Sequence, residues 1–81
     1  MDILATNIED IKIYPSVTND YVNICIQKYS GPIQTEIYAL SGDFMGVQSG
    51  NNLSFNKFNS GIYFCVITYG KKKKTLRVTK I

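Results

Sequence analysis

Residues 59–70 constrain this chain more than any other stretch. Asn59-Ser60-Gly61 is a turn signal, and Gly70 closes the run. Between them Ile62, Tyr63, Phe64, Cys65, Val66, Ile67, Thr68 and Tyr69 follow one another without a charge. β-branched and aromatic residues in an unbroken apolar run mark a strand covered on most of its area. The remaining segments are shorter and less apolar, so they are expected to pack around this one.

Those segments read as strands too. Residues 10–14 alternate and stop at Pro15. Residues 16–20 carry Ser, Thr, Asn and Asp side chains suited to a turn or corner. In residues 21–27, Val22, Ile24 and Ile26 share one face and Tyr21, Asn23 and Cys25 the other. Residues 33–40 follow the turn at Ser30-Gly31-Pro32, with Ile33, Thr35 and Ile37 on one face. Ser41-Gly42-Asp43 signals a tight hairpin into residues 44–48, where Gly46 points to an edge or a bulge. Residues 53–55 form a brief strand. Residues 75–80 close the chain, with Leu76 and Val78 inward and Thr75, Arg77 and Thr79 outward. No stretch of useful length has helical spacing. The expected fold is all-β, a small antiparallel immunoglobulin-like β-sandwich of about seven strands.

Eighty-one residues suffice for one domain of modest stability, burying roughly 60–65% of its unfolded surface. Residues 1–9 have weak pattern and read as a linker or a loosely held first segment, and residues 10–81 as the sandwich. The first ten residues lack a basic start and carry Asp2, Glu9 and Asp10, which is not a signal-peptide pattern. The domain is therefore either intracellular or part of a longer exported chain with its own leader.

Reactive chemistry is sparse. There is no histidine, which removes the usual general base, the commonest metal ligand and the Ser-His and Cys-His pairs. The acidic residues are scattered, and no glycines fall at phosphate-loop spacing. No enzyme, cofactor or metal site is expected. Cys25 and Cys65 sit about forty residues apart on strands that a disulfide can join in immunoglobulin-type sandwiches, at a gain of about 4 kcal/mol in the chain-entropy model. Side-chain parity puts Cys25 outward and Cys65 inward, which favours two unpaired thiols.

Lys71, Lys72, Lys73 and Lys74 account for four of the nine basic residues. They read as a solvated hairpin tip that also discourages edge pairing, or as a contact for an anionic surface. A net charge of +3 concentrated in one run does not make a nucleic-acid binder. Tyr63 is expected in the core with its hydroxyl at the rim. Tyr14, Tyr38 and Tyr69 are ordinary strand packing or a sugar-stacking stripe, the feature a glycan- or protein-binding module would need.

Four segments together resemble one family. Ile13-Tyr14-Pro15 with Tyr21-Val22-Asn23-Ile24, then Thr35-Glu36-Ile37-Tyr38-Ala39-Leu40-Ser41-Gly42, then Ser60-Gly61-Ile62-Tyr63-Phe64, and finally Thr75-Leu76-Arg77-Val78-Thr79-Lys80 follow one another in the family's order and spacing. They are similar to the C-terminal sorting domains, type A, of the Bacteroidetes type IX (Por) secretion system. Ser16 and Val17 replace the family's second proline, and Ala39 an acidic or amide residue. The resemblance implies a non-catalytic export signal at the C-terminus of a cargo protein, read by an outer-membrane translocon. A sortase-like peptidase then removes it, here within or before residues 1–9, leaving cargo released or at the cell surface. Carried over, the recognition residues are Tyr14, Pro15, Gly61, Ile62, Tyr63, Phe64, Lys80 and Ile81. The edge at residues 44–48 is a candidate for dimerisation by strand addition.

Overall fold

A computed structural model describes residues 11–81. Asp10 and the expected linker lie outside the described residues. Eight strands follow in chain order: β1 Ile11–Tyr14, β2 Val17–Thr18, β3 Tyr21–Ile26, β4 Ile33–Ala39, β5 Phe44–Ser49, β6 Asn52–Ser54, β7 Gly61–Tyr69 and β8 Lys72–Lys80. They form two packed sheets, one of three strands in the order β1-β3-β6 and one of five in the order β2-β8-β7-β4-β5.

The apolar run became β7, the middle strand of the larger sheet. Its inward residues Tyr63, Cys65, Ile67 and Tyr69 alternate with half-buried Ile62, Phe64, Val66 and Thr68. Opposite them the smaller sheet contributes Ile11, Val22, Ile24 and Leu53, all buried. Phe55, just past β6, is fully enclosed, and its burial alone is worth roughly 1.5–3 kcal/mol. Phe55, Phe58 and Tyr63 pack ring against ring at centroid distances of 5.2–5.8 Å. This aromatic plug closes one end of the sandwich.

The sheets are also tied by polar groups. Gln48 on β5 donates through Nε2 to the Ser54 carbonyl at 2.8 Å, and its Oε1 accepts from the Ser54 N–H at 2.7 Å. One side chain thus completes the backbone pairing of β6 from the other sheet. On β5 itself, Ile37 pairs with Gly46 but Tyr38 with Phe44, so Met45 is an extra residue and the edge strand is bulged. The expected break at Gly46 is this bulge, which bends the edge strand locally.

Two features depart from the sequence reading. The expected corner at 16–20 contains β2, whose two residues pair parallel to β8. A two-residue strand shows no periodicity, and its partner lies at the far end of the chain, so local pattern carries no trace of it. It raises the strand number to eight in a mostly antiparallel fold. The lysine run is not a hairpin tip as a whole. Only Gly70 and Lys71 lie between the strands, while Lys72, Lys73 and Lys74 belong to β8 and pair with Tyr69, Thr68 and Ile67. Gly70 has φ 62°, the left-handed geometry this two-residue turn demands, which lets β8 begin early.

Candidate functional site

Three segments singled out in the sequence meet at one end of the sandwich. The Tyr14–Pro15 peptide, which is cis, leads from β1 into β2. There the Ser16 carbonyl accepts from the Thr79 N–H at 2.8 Å, and the Thr18 carbonyl accepts from the Ile81 N–H at 2.9 Å. On the other flank of β8, Lys80 pairs with Gly61 and Thr79 with Ile62. The final residues are therefore held between the opening motif and the start of β7.

β2 is itself fixed by Thr18, whose buried hydroxyl donates to the Tyr21 carbonyl at 2.8 Å and accepts from the Asp20 N–H at 3.0 Å. This is the turn chemistry expected of residues 16–20, here used to align a strand.

The side chains divide by depth. Tyr63 is interior, and its hydroxyl donates to the Asn59 carbonyl at 2.7 Å, as expected for a core residue with its polar tip at the rim. Lys80 is interior as well, only 8% exposed, with its ammonium donating to the Phe58 carbonyl at 2.7 Å. Tyr14 and Ile81 are exposed, Pro15 and Gly61 lie at the surface, and Ile62 and Phe64 are half-buried on the outward face of the larger sheet.

That outward face adds residues the sequence did not single out. Cross-strand register places Val17 beside Thr79 and Thr79 beside Ile62. One step along, Phe64 stands between Arg77 and Tyr38, and Tyr38 pairs with Phe44. The Tyr38 and Phe44 rings meet edge to face at 5.5 Å. Val17, Ile62, Phe64, Tyr38 and Phe44 thus make an apolar strip across the sheet, with Val17 and Phe44 more than half exposed. The alternation of β7 and β4 signals the middle of this strip; its two ends depend on β2 and on the bulge.

Other expectations resolve plainly. Tyr69 is buried, so Tyr14, Tyr38 and Tyr69 do not form one exposed stripe. Cys25 is exposed and Cys65 fully buried, and both are free, as parity argued. Burial pushes the Cys65 thiol up to about 12. Among the described residues no group of His, Cys, Asp or Glu is placed to hold a metal ion. Lys71 and Lys72 lie at the opposite end of the β7–β8 hairpin from Ile81. Lys73 shares the outward parity of Arg77, and Lys74 is half-buried.

A family model described as the secretion system C-terminal sorting domain matches residues 12–80. The chain belongs to this family. A search among curated proteins found no match. The sorting domain of the type IX system is a signal module that directs export of an attached cargo, and the chain carries that signal over nearly its whole length. Its recognition by the type IX machinery follows from family membership. The clamped terminus and the apolar strip are the surface this sorting domain offers at the end where its motifs converge.

Proposed function

We propose that the outer-membrane translocon reads one composite surface of this domain: the clamped residues 79–81 together with the apolar strip through Val17, Ile62 and Phe64. The domain acts without catalysis. A sortase-like peptidase then cuts upstream, within or before residues 1–9, and the cargo is released or stays at the cell surface. The observation that carries this reading is the pair of hydrogen bonds from Thr79 and Ile81 to Ser16 and Thr18. They make the start and end of the family pattern a single structural unit.

On this reading Tyr63 and Lys80 shape the surface from beneath, while Tyr14, Pro15, Gly61, Ile62, Phe64 and Ile81 are available to a partner. Half-buried apolar residues flanked by Arg77 suit a partner groove with an apolar floor and an acidic margin.

The test is a reporter carrying a periplasmic signal, fused to residues 10–81, in a type IX-competent cell. Phe64→Glu, Ile62→Lys and removal of residues 79–81 are each expected to leave the reporter in the periplasm. Thermal unfolding of the purified variants separates lost recognition from lost folding. Unchanged export by a folded Phe64→Glu and by the truncated chain would overturn the proposal. We further propose that any self-association runs through the exposed edge of β5, where Val47→Lys would abolish a dimer seen by light scattering. A dimer that survives this change would place the contact elsewhere.

A further inference from the structure

Two long strands of the larger sheet have an open side, and they are finished differently. β5 is broken by the bulge at Met45, whereas β8 pairs with β7 in unbroken register from Lys72 to Lys80. On its other side β8 meets β2, and only at Thr79 and Lys80. The Thr79 and Ile81 N–H groups both turn toward β2. Backbone groups along a strand alternate sides with period two, so the N–H and C=O of Lys73, Thr75 and Arg77 face the same way. Among the described residues no strand pairs with them there.

The side chains on this edge carry one sign. Lys73, Thr75 and Arg77 are all exposed, and all three stand on the outward face. Glu36 shares that face two strands away, in the row Thr75–Val66–Glu36, where it accepts from the Tyr38 hydroxyl at 3.3 Å. Cationic side chains on an open edge guard against pairing with like chains. Two copies meeting antiparallel about Thr75 would set Lys73 against Arg77, and like charges directly opposite are destabilising. A guest strand with carboxylates reverses that sign. The features that exclude a second copy therefore favour an acidic partner.

We infer that the edge of β8 from Lys73 to Arg77 takes up an extended acidic peptide segment as an added strand, in line with β2. Main-chain bonds to Lys73, Thr75 and Arg77 supply the hold, and carboxylates on alternate residues of the guest meet Lys73 and Arg77. The regular register of β8 presents these backbone groups at even spacing, which the bulged β5 does not. The contact lies on the margin of the sheet and needs neither the apolar strip nor Ile81, so it stands or falls apart from the export reading.

The test is titration of the ¹⁵N-labelled full chain with a short capped peptide alternating glutamate and threonine, to about tenfold over a Kd near 1 mM. Binding is expected to slow solvent exchange of the Lys73, Thr75 and Arg77 amides and to leave those of Leu76 and Val78, on the side paired with β7, as they were. The same peptide with its backbone nitrogens methylated keeps the charge but cannot donate as a strand, and should not bind. Lysine in place of glutamate should also abolish binding. Thr75→Pro removes a donor at the open edge, where proline is tolerated, and should abolish the protection. Lys73→Gln with Arg77→Gln keeps the edge backbone and should weaken binding about tenfold. The spectra themselves report which variants keep the fold. The triple change Asp2→Asn, Glu9→Gln and Asp10→Asn tests whether the chain's own first residues take the edge. No saturable binding, equal binding by the methylated or lysine peptide, unchanged binding after Lys73→Gln with Arg77→Gln, protection confined to β5, or binding that appears only in the triple variant would overturn the inference.

Discussion

The ammonium of Lys80 donates to the carbonyl of Phe58 at 2.7 Å, inside the end of the sandwich that displays Ile81. The bond ties the last strand to the loop carrying the aromatic plug. A residue that the family resemblance offers as a recognition candidate is a structural fastening. Lys80→Met keeps the apolar stem but leaves the Phe58 carbonyl without this donor. Hydrogen bonds to charged groups are worth about 1.5–3 kcal/mol, and a loss of that order is expected in urea unfolding.

The two thiols should differ sharply in reactivity. Cys65 is enclosed and its thiol is pushed up to about 12, so almost none is thiolate at pH 8. The raised value also means the folded state disfavours Cys65 ionisation. Stability from this group is full below the ordinary thiol pKa and falls as pH rises from about 9 towards 12. A thiol-reactive dye at pH 8 is expected to label one cysteine in the native chain and two in denaturant. The native label should vanish in Cys25→Ser.

Thr35 offers a route to greater stability. Its side chain is fully buried on β4, and its Oγ1 has no hydrogen-bond partner. An enclosed hydroxyl without a partner carries a desolvation cost of about 1–3 kcal/mol. Thr35→Val replaces the hydroxyl by a methyl on the same branched frame. The midpoint of thermal unfolding is expected to rise, and a fall would show that the hydroxyl contributes in the native chain.

Gln48 is predicted to matter out of proportion to its place on an edge strand. Its amide makes both bonds to Ser54 across the two sheets. Gln48→Ala removes both and leaves a backbone donor and acceptor at β6 to find water. At about 0.5–1.5 kcal/mol per bond, a loss of roughly 1–3 kcal/mol is expected. Hydrogen exchange should quicken at the Ser54 amide before it does in β7.

The readable part of the fold lay in side-chain parity. Val22 and Ile24 against Cys25, and Tyr63 and Cys65 against Phe64, were assigned to the correct faces because period two survives wherever one face is buried. Parity also places Lys80, two residues beyond inward-facing Val78, on the buried face. β2 and Tyr29 were not legible. Val17 and Thr18 pair with a strand some sixty residues away, and Tyr29 is held by Gly70 from across the sandwich. Both depend on contacts that local composition does not encode.

Ile11 pairs with Ile26, beside the turn between β7 and β8, whereas Ile81 is bound next to Thr18. Ile11 and Ile81 are thus at opposite poles, separated by about 30 Å, the span of a nine-residue strand. The described chain therefore starts away from the pole proposed for reading. On the proposed reading, the export machinery engages the Ile81 pole and leaves the Ile11 pole uncovered.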